Sequence, residues 1–229
     1  MIKRLRLLLL PLLLIISFHA AAEDIPPYSG EPYTVMNNNM PYFELPHMTG
    51  DGAFCFIPEE FYSELDQLGR YGFALANIST ALMPADGREC IGSVTPTGWQ
   101  SVKYDSVSGK YLYNRCPLIG YQLAGENANP KNLITGTRYL NMTGMLPFEN
   151  MVADYVKETE NHVIYRVTPY FEDENLVADG VELEAWSVED NGGGICFNVF
   201  CYNEQPGIII DRATGDSREA DQAERGVLQ

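Results

Sequence analysis

The stretch from Asn114 to Asn150, NRCPLIGYQLAGENANPKNLITGTRYLNMTGMLPFEN, limits what this chain can fold into more than any other. It lacks the plain amphipathic repeat that fills a core. In its place stand asparagines (Asn129, Asn132 and Asn141 among them), the cations Arg115, Lys131 and Arg138, and the carboxylate Glu149. Asparagine competes with the backbone for its own hydrogen bonds and glycine leaves the backbone unrestrained, so both are poor fillers of element interiors. Their density here points to backbone or ligand geometry, laid out as a strand end, a loop and a helical segment.

The rest of the chain bounds what this stretch can serve. Its 229 residues, 45% hydrophobic and 11% aromatic, suit one globular domain with a sizeable core. The start, MIKRLRLLLLPLLLIISFHAAAED, passes from Lys3, Arg4 and Arg6 through an apolar run to Ala20, Ala21 and Ala22. That is the three-part layout of a secretory signal, with cleavage after Ala22. The run from Leu7 to Phe18 is short of the about 20 residues a bilayer span needs. The expectation is a signal peptide over 1–22 and a secreted monomer with no membrane association in its mature form.

The net charge of the whole chain is −16. Residues 1–22 hold three of the fifteen Lys and Arg and no acid, so the mature form carries −19. Phosphate binding normally draws on a basic surface. A chain this acidic can serve nucleic acid only through a local basic cleft, and Lys103, Lys110, Arg115, Lys131 and Arg138 all fall around the central stretch. Five cysteines with no CxxC do not support a zinc site. Cys196 and Cys201 have opposite parity on one expected strand, so they point to opposite faces and cannot bridge. Mostly free, buried thiols are expected.

Taken in order, residues 23–60 are rich in Pro, Asn and Gly and read as an extended lead-in, with a short strand at Tyr33–Met36. Phe61–Leu68 is expected as one or two helical turns, and Ala74–Asn77 as a strand. Trp99, Val102 and Tyr104 predict a strand that passes through the Ser106–Lys110 turn into YLYNRC. Pro147 suits a helix start, since its ring fixes a helical φ and the missing N–H has no partner there anyway. Phe148, Met151, Val152 and Tyr155 follow at helical spacing and are expected to face the core, and Glu158–Asn161 to end the helix. His162–Phe171 and Val181–Val188 alternate as strands, the second with Glu182 and Glu184 outward. ICFNVFCYN and IIID complete an antiparallel meander, and a flexible tail is expected over 218–229. The fold class predicted is α+β, a twisted antiparallel β-sheet with helices packed against it, the domain spanning 61–217.

The central stretch also resembles a known family. The run RCPLIGYQL, the NPKN loop, the TRYLN segment and the PFEN turn resemble the finger of the DNA/RNA non-specific endonucleases. These are ββα-metal (His-Me finger) enzymes, and the likeness is to the branch of streptococcal secreted DNases and type VII secretion EssD-like nucleases. It runs from about Ser93 to Ser217. It implies a Mg²⁺-dependent phosphodiester hydrolase, with Mn²⁺ as a substitute, acting on DNA and RNA. It further implies that Asn141 binds the metal, that Asn132 supports the finger, and that Glu149 orients metal-bound water. By the same likeness Arg138, Arg115 and Lys131 lie near the scissile phosphate. Asn114-Arg115-Cys116-Pro117 occupies the place of the family's Asp-Arg-Gly-His, so Pro117 stands where the catalytic histidine belongs.

Without the resemblance the same residues have plainer explanations. Asn132 and Asn141 would be capping or loop-bonding asparagines. Glu149 would be a first-turn acid favoured by the helix dipole, Arg138 a surface cation, and Arg166 a structural ion-pair partner. Proline has no titratable group, and losing a general base costs about 10²–10⁴-fold in rate. Two readings follow: a secreted nuclease of strongly reduced activity, or an inactive nuclease-fold protein that binds nucleic acid or a protein partner.

Overall fold

The structure is a computed structural model and describes residues 25–42 and 59–225. The expected signal peptide, His47 and Cys55 lie outside those residues. The alternating segments do form one sheet. Its strands are β1 (Tyr33–Val35), β2 (Glu60–Tyr62), β3 (Ala74–Ile78), β6 (Val163–Tyr170), β7 (Gly180–Ser187) and β8 (Cys196–Tyr202). They run in the order β1-β8-β7-β6-β3-β2, every neighbour antiparallel. Between β3 and β6 the chain leaves the sheet and builds β4 (Tyr113–Pro117), the short α1 (Tyr121–Ala124) and β5 (Leu133–Thr137). A π-helical segment, Leu140–Met145, runs directly into α2 (Leu146–Thr159). β9 (Ile208–Ile210) pairs with β10 (Ser217–Glu219) in a separate ribbon, and α3 covers Gln222–Arg225.

α2 packs on one face of the sheet. Phe148, Val152, Ala153 and Val156 meet Val163, Tyr165, Val167, Leu183 and Val199 in the main core. Pro147 sits in the first turn, as its fixed φ favours. Glu160 ends the helix in a left-handed conformation. Met151 departs from the expectation: it is 49% exposed, because the apolar stripe is narrower than the spacing implied. Among the described residues no helix is long and apolar enough to cross a membrane.

The other face departs further. Glu182 and Glu184 were expected outward, yet both are buried. The lead-in crosses this face, and the backbone N–H of Tyr42 donates to Glu184 at 2.6 Å. Arg166 holds the second Glu184 oxygen at 2.5 Å, and the Tyr170 hydroxyl donates to Glu182 at 2.7 Å. A sheet covered on both faces must satisfy its polar groups internally, and Arg166 is indeed a structural partner.

Two other expectations are corrected. Glu60–Tyr62 is a strand rather than the start of a helix, and the Asp66 carboxylate then turns the chain by accepting the N–H groups of Leu68 and Arg70. Trp99–Tyr104 forms no strand; a single bridge joins Lys103 to Tyr111, and the partner of β4 is β5. Residues 218–225 take defined structure, with Ala220 buried. Cys90, Cys116, Cys196 and Cys201 are free, and Cys116 and Cys201 are buried.

Candidate active site

β4 and β5 form a two-stranded ribbon in which Arg115 faces Thr135 and Pro117 faces Leu133. Alternation sends Cys116 into the core and leaves Arg115 and Pro117 on the opposite side. There they line a cleft of about 760 Å³ with Arg138 and Asn141. Its lining holds Arg88, Arg115 and Arg138 against one acid, Glu89. A local excess of positive charge therefore exists in a chain whose net charge is −16.

Asn141 reaches the cleft from the π-helical segment, whose wider turn re-aims a side chain relative to an α-helix. The junction before it is fixed by buried bonds. The Thr137 hydroxyl accepts the Leu140 N–H at 2.9 Å, and the Thr137 N–H donates to Asn203 at 2.8 Å. The Asn141 amide oxygen accepts the Cys116 thiol at 3.3 Å.

Asn132 is fully buried and acts on the backbone. Its amide oxygen accepts the Ile119 N–H at 2.9 Å, and its amide nitrogen donates to the Ile119 carbonyl at 3.0 Å. This clamp fixes the chain just past Pro117. Asn132→Ala should orphan both Ile119 groups and cost about 2 kcal/mol, read as a lower midpoint in urea unfolding.

Glu149 is also buried, in the first turn of α2. Its carboxylate lies so close to Gly120 that a Cβ there would sit 2.7 Å from both oxygens. Burial pushes its carboxyl up from 4.5 to about 7, partly offset by the Arg88 charge and the Gly120 N–H.

The remaining candidates lie elsewhere. Lys131 pairs with Glu64 at 2.5 Å and is absent from the cleft lining. Lys110 pairs with Asp105. His162 is held by Glu189 beyond the far end of α2, about 20 Å along the helix from the cleft end. Burial and the neighbouring Glu149 charge hold the Cys116 thiol well above its ordinary range, so it is no substitute base.

Three cleft residues carried no motif in the sequence. The Arg88 charge acts on the buried Glu149. Trp99 lies under the Arg115 guanidinium, 4.3 Å from ring centroid to Cζ, while Arg115 Nε donates to the Val94 carbonyl. Tyr111 lies under Lys103, with Nζ 4.4 Å from its centroid.

Residues 55–189 match the DNA/RNA non-specific endonuclease family. The chain belongs to that family. NucA from Streptococcus agalactiae with magnesium bound superposes with a TM-score of 0.71 at 25% identity, over 86% of this chain and 91% of that one. Its metal-free form gives 0.70 over the same shares. Sda1 nuclease with bound zinc shares the fold, with a TM-score of 0.65 at 24% identity over 83% and 97%. No curated protein matches the chain in sequence.

The family's metal can be tested against the donors present. Among the described residues no three His, Cys, Asp or Glu side chains converge on one point. One amide on the cleft wall, Asn141, whose oxygen also accepts the Cys116 thiol, with a carboxylate close behind the finger is a sparse donor set. It fits a hydrated Mg²⁺ that keeps most of its waters, and not a fully protein-ligated ion.

Proposed function

We propose that the protein is a secreted, Mg²⁺-dependent DNA/RNA endonuclease whose cleavage is strongly reduced because Pro117 replaces the general base. The observation that supports this reading is the cleft itself. Arg115, Arg138 and Asn141 surround the end of β4, where Pro117 offers no group that can take a proton. Hydrolysis requires water activation, charge neutralisation on the phosphate and help for the departing 3′ oxygen. Mg²⁺ held at Asn141 would supply the charge neutralisation. Arg115 and Arg138 hold non-bridging phosphate oxygens, Asn132 fixes the finger backbone, and Glu149 braces the turn through the Gly120 N–H. Deprotonation of the attacking water is left to solvent.

Pro117 also favours a second reading, a binder that has lost cleavage altogether. Plasmid and RNA digestion by the mature protein, with Mg²⁺ or with EDTA, separates the two. The nuclease reading expects slow nicking that EDTA stops and that Asn141→Ala reduces at least tenfold, with calorimetric Mg²⁺ or Mn²⁺ binding weakened in the same variant. Cleavage that ignores EDTA would overturn it. Export with removal of residues 1–22 is part of the proposal, and a mature mass starting at Glu23 in culture medium is the expected result.

A further inference from the structure

The apolar side of the cleft has no use in holding phosphates. Tyr111 is 50% exposed and Met142 38% exposed, both on the cleft lining beside the half-buried Trp99. Large apolar side chains left open to water in a polar cleft mark a surface with something to cover it. Tyr111 is anchored from behind: its chain neighbours Leu112 and Tyr113 are buried with Val107 and Ile208 in a small satellite core that Trp99 and Val102 join. Each ring also carries a cation, Arg115 on Trp99 and Lys103 on Tyr111. A backbone-tracking cation next to a flat ring is the arrangement that grips an unpaired nucleotide, charge to phosphate and ring to base. A duplex keeps its bases stacked inside and offers such a surface only phosphate and sugar.

Resting on the nuclease reading above, we propose that the Tyr111–Trp99 wall is a base-stacking subsite, and that the cleft takes single-stranded nucleic acid in preference to duplex. The phosphate lies toward Arg115 and Arg138, and the adjacent base turns onto the Tyr111 ring. Stacking reads a π-face that every base has, so the preference is for strandedness and not for sequence.

Fluorescence anisotropy with a labelled single-stranded oligonucleotide and its duplex, in Mg²⁺ at low salt, tests this on the whole protein. The single strand should bind at least tenfold more tightly. Tyr111→Ala should weaken single-strand binding by about 5- to 150-fold, the worth of one lost stack. Tyr111→Phe should keep the parent affinity, because the ring and not the hydroxyl is used. The dependence of affinity on salt should be the same in all three, since no phosphate contact is removed. Circular dichroism checks that the half-exposed Tyr111 can be truncated without unfolding. Equal affinity for the two strand states, or Tyr111→Ala binding like the parent, would overturn the subsite while leaving the nuclease reading intact. Failure of both oligonucleotides to bind would instead overturn the subsite and the nuclease reading together.

Discussion

Pro117→His should raise Mg²⁺-dependent cleavage of plasmid DNA by roughly 10²–10⁴-fold, the usual contribution of a general base. The position is prepared for it. Pro117 ends β4 on the cleft side of the ribbon, opposite Leu133, and the cleft of about 760 Å³ gives an imidazole room. The Asn132 clamp fixes the residues that follow, so the new ring would inherit a defined direction. The gained rate should rise with pH through the histidine range, near 6.5, and disappear when Asn141→Ala is added. An active parent that gains nothing would mean that another group already supplies the base. A folded parent and a folded mutant that are both inert would show that the site has decayed beyond one position, and the binding reading would then stand.

The second large effect concerns stability and not rate. Glu149 keeps its proton in the folded protein up to about pH 7, whereas in the unfolded chain it releases it near 4.5. Between those values the native state binds more protons than the unfolded one, so stability falls as pH rises. The stabilisation is complete below about 4.5 and gone above about 7. It amounts to about 3 kcal/mol across the window. Glu149→Gln keeps the shape and an acceptor for the Gly120 N–H but cannot ionise. Denaturant unfolding should therefore show the variant more stable than the parent by up to about 3 kcal/mol at pH 8, the gap closing toward pH 4.5. Parallel stability curves for the two proteins would refute the buried, proton-holding carboxyl. Arg88 explains why the parent tolerates the ionised form at all, since its charge partly offsets the burial.

The meander of β6, β7 and β8 was legible in the sequence because side-chain alternation is a local signal, and Pro147 marked the start of α2 for an equally local reason. Glu182 and Glu184 misled, because what covers them is a lead-in more than 140 residues away, as the bond from Tyr42 shows. The Asn132 and Asn141 positions could be singled out, since amides at such density are poor fillers, but not the division of labour the structure gives them: one clamps backbone and the other faces the cleft. Trp99 and Tyr111 passed as strand residues in a hairpin that shrinks to a single bridge, and only the fold puts Trp99 under Arg115 and Tyr111 under Lys103. Lys131 looked free in the sequence, and its partner Glu64 lies 67 positions earlier.

The outermost strand of the main sheet has a consequence for how such a chain acquires its shape. Tyr33 pairs with Cys201 and Val35 with Val199, so the first strand cannot find its place until nearly the whole polypeptide exists. Closing so long a loop is slow, and topologies rich in distant pairings fold late. Until that moment β8 offers a bare strand edge to any neighbour, the usual start of misassembly. Versions trimmed past residue 36 should keep that edge open permanently, and would be poor choices for production whatever their catalytic residues.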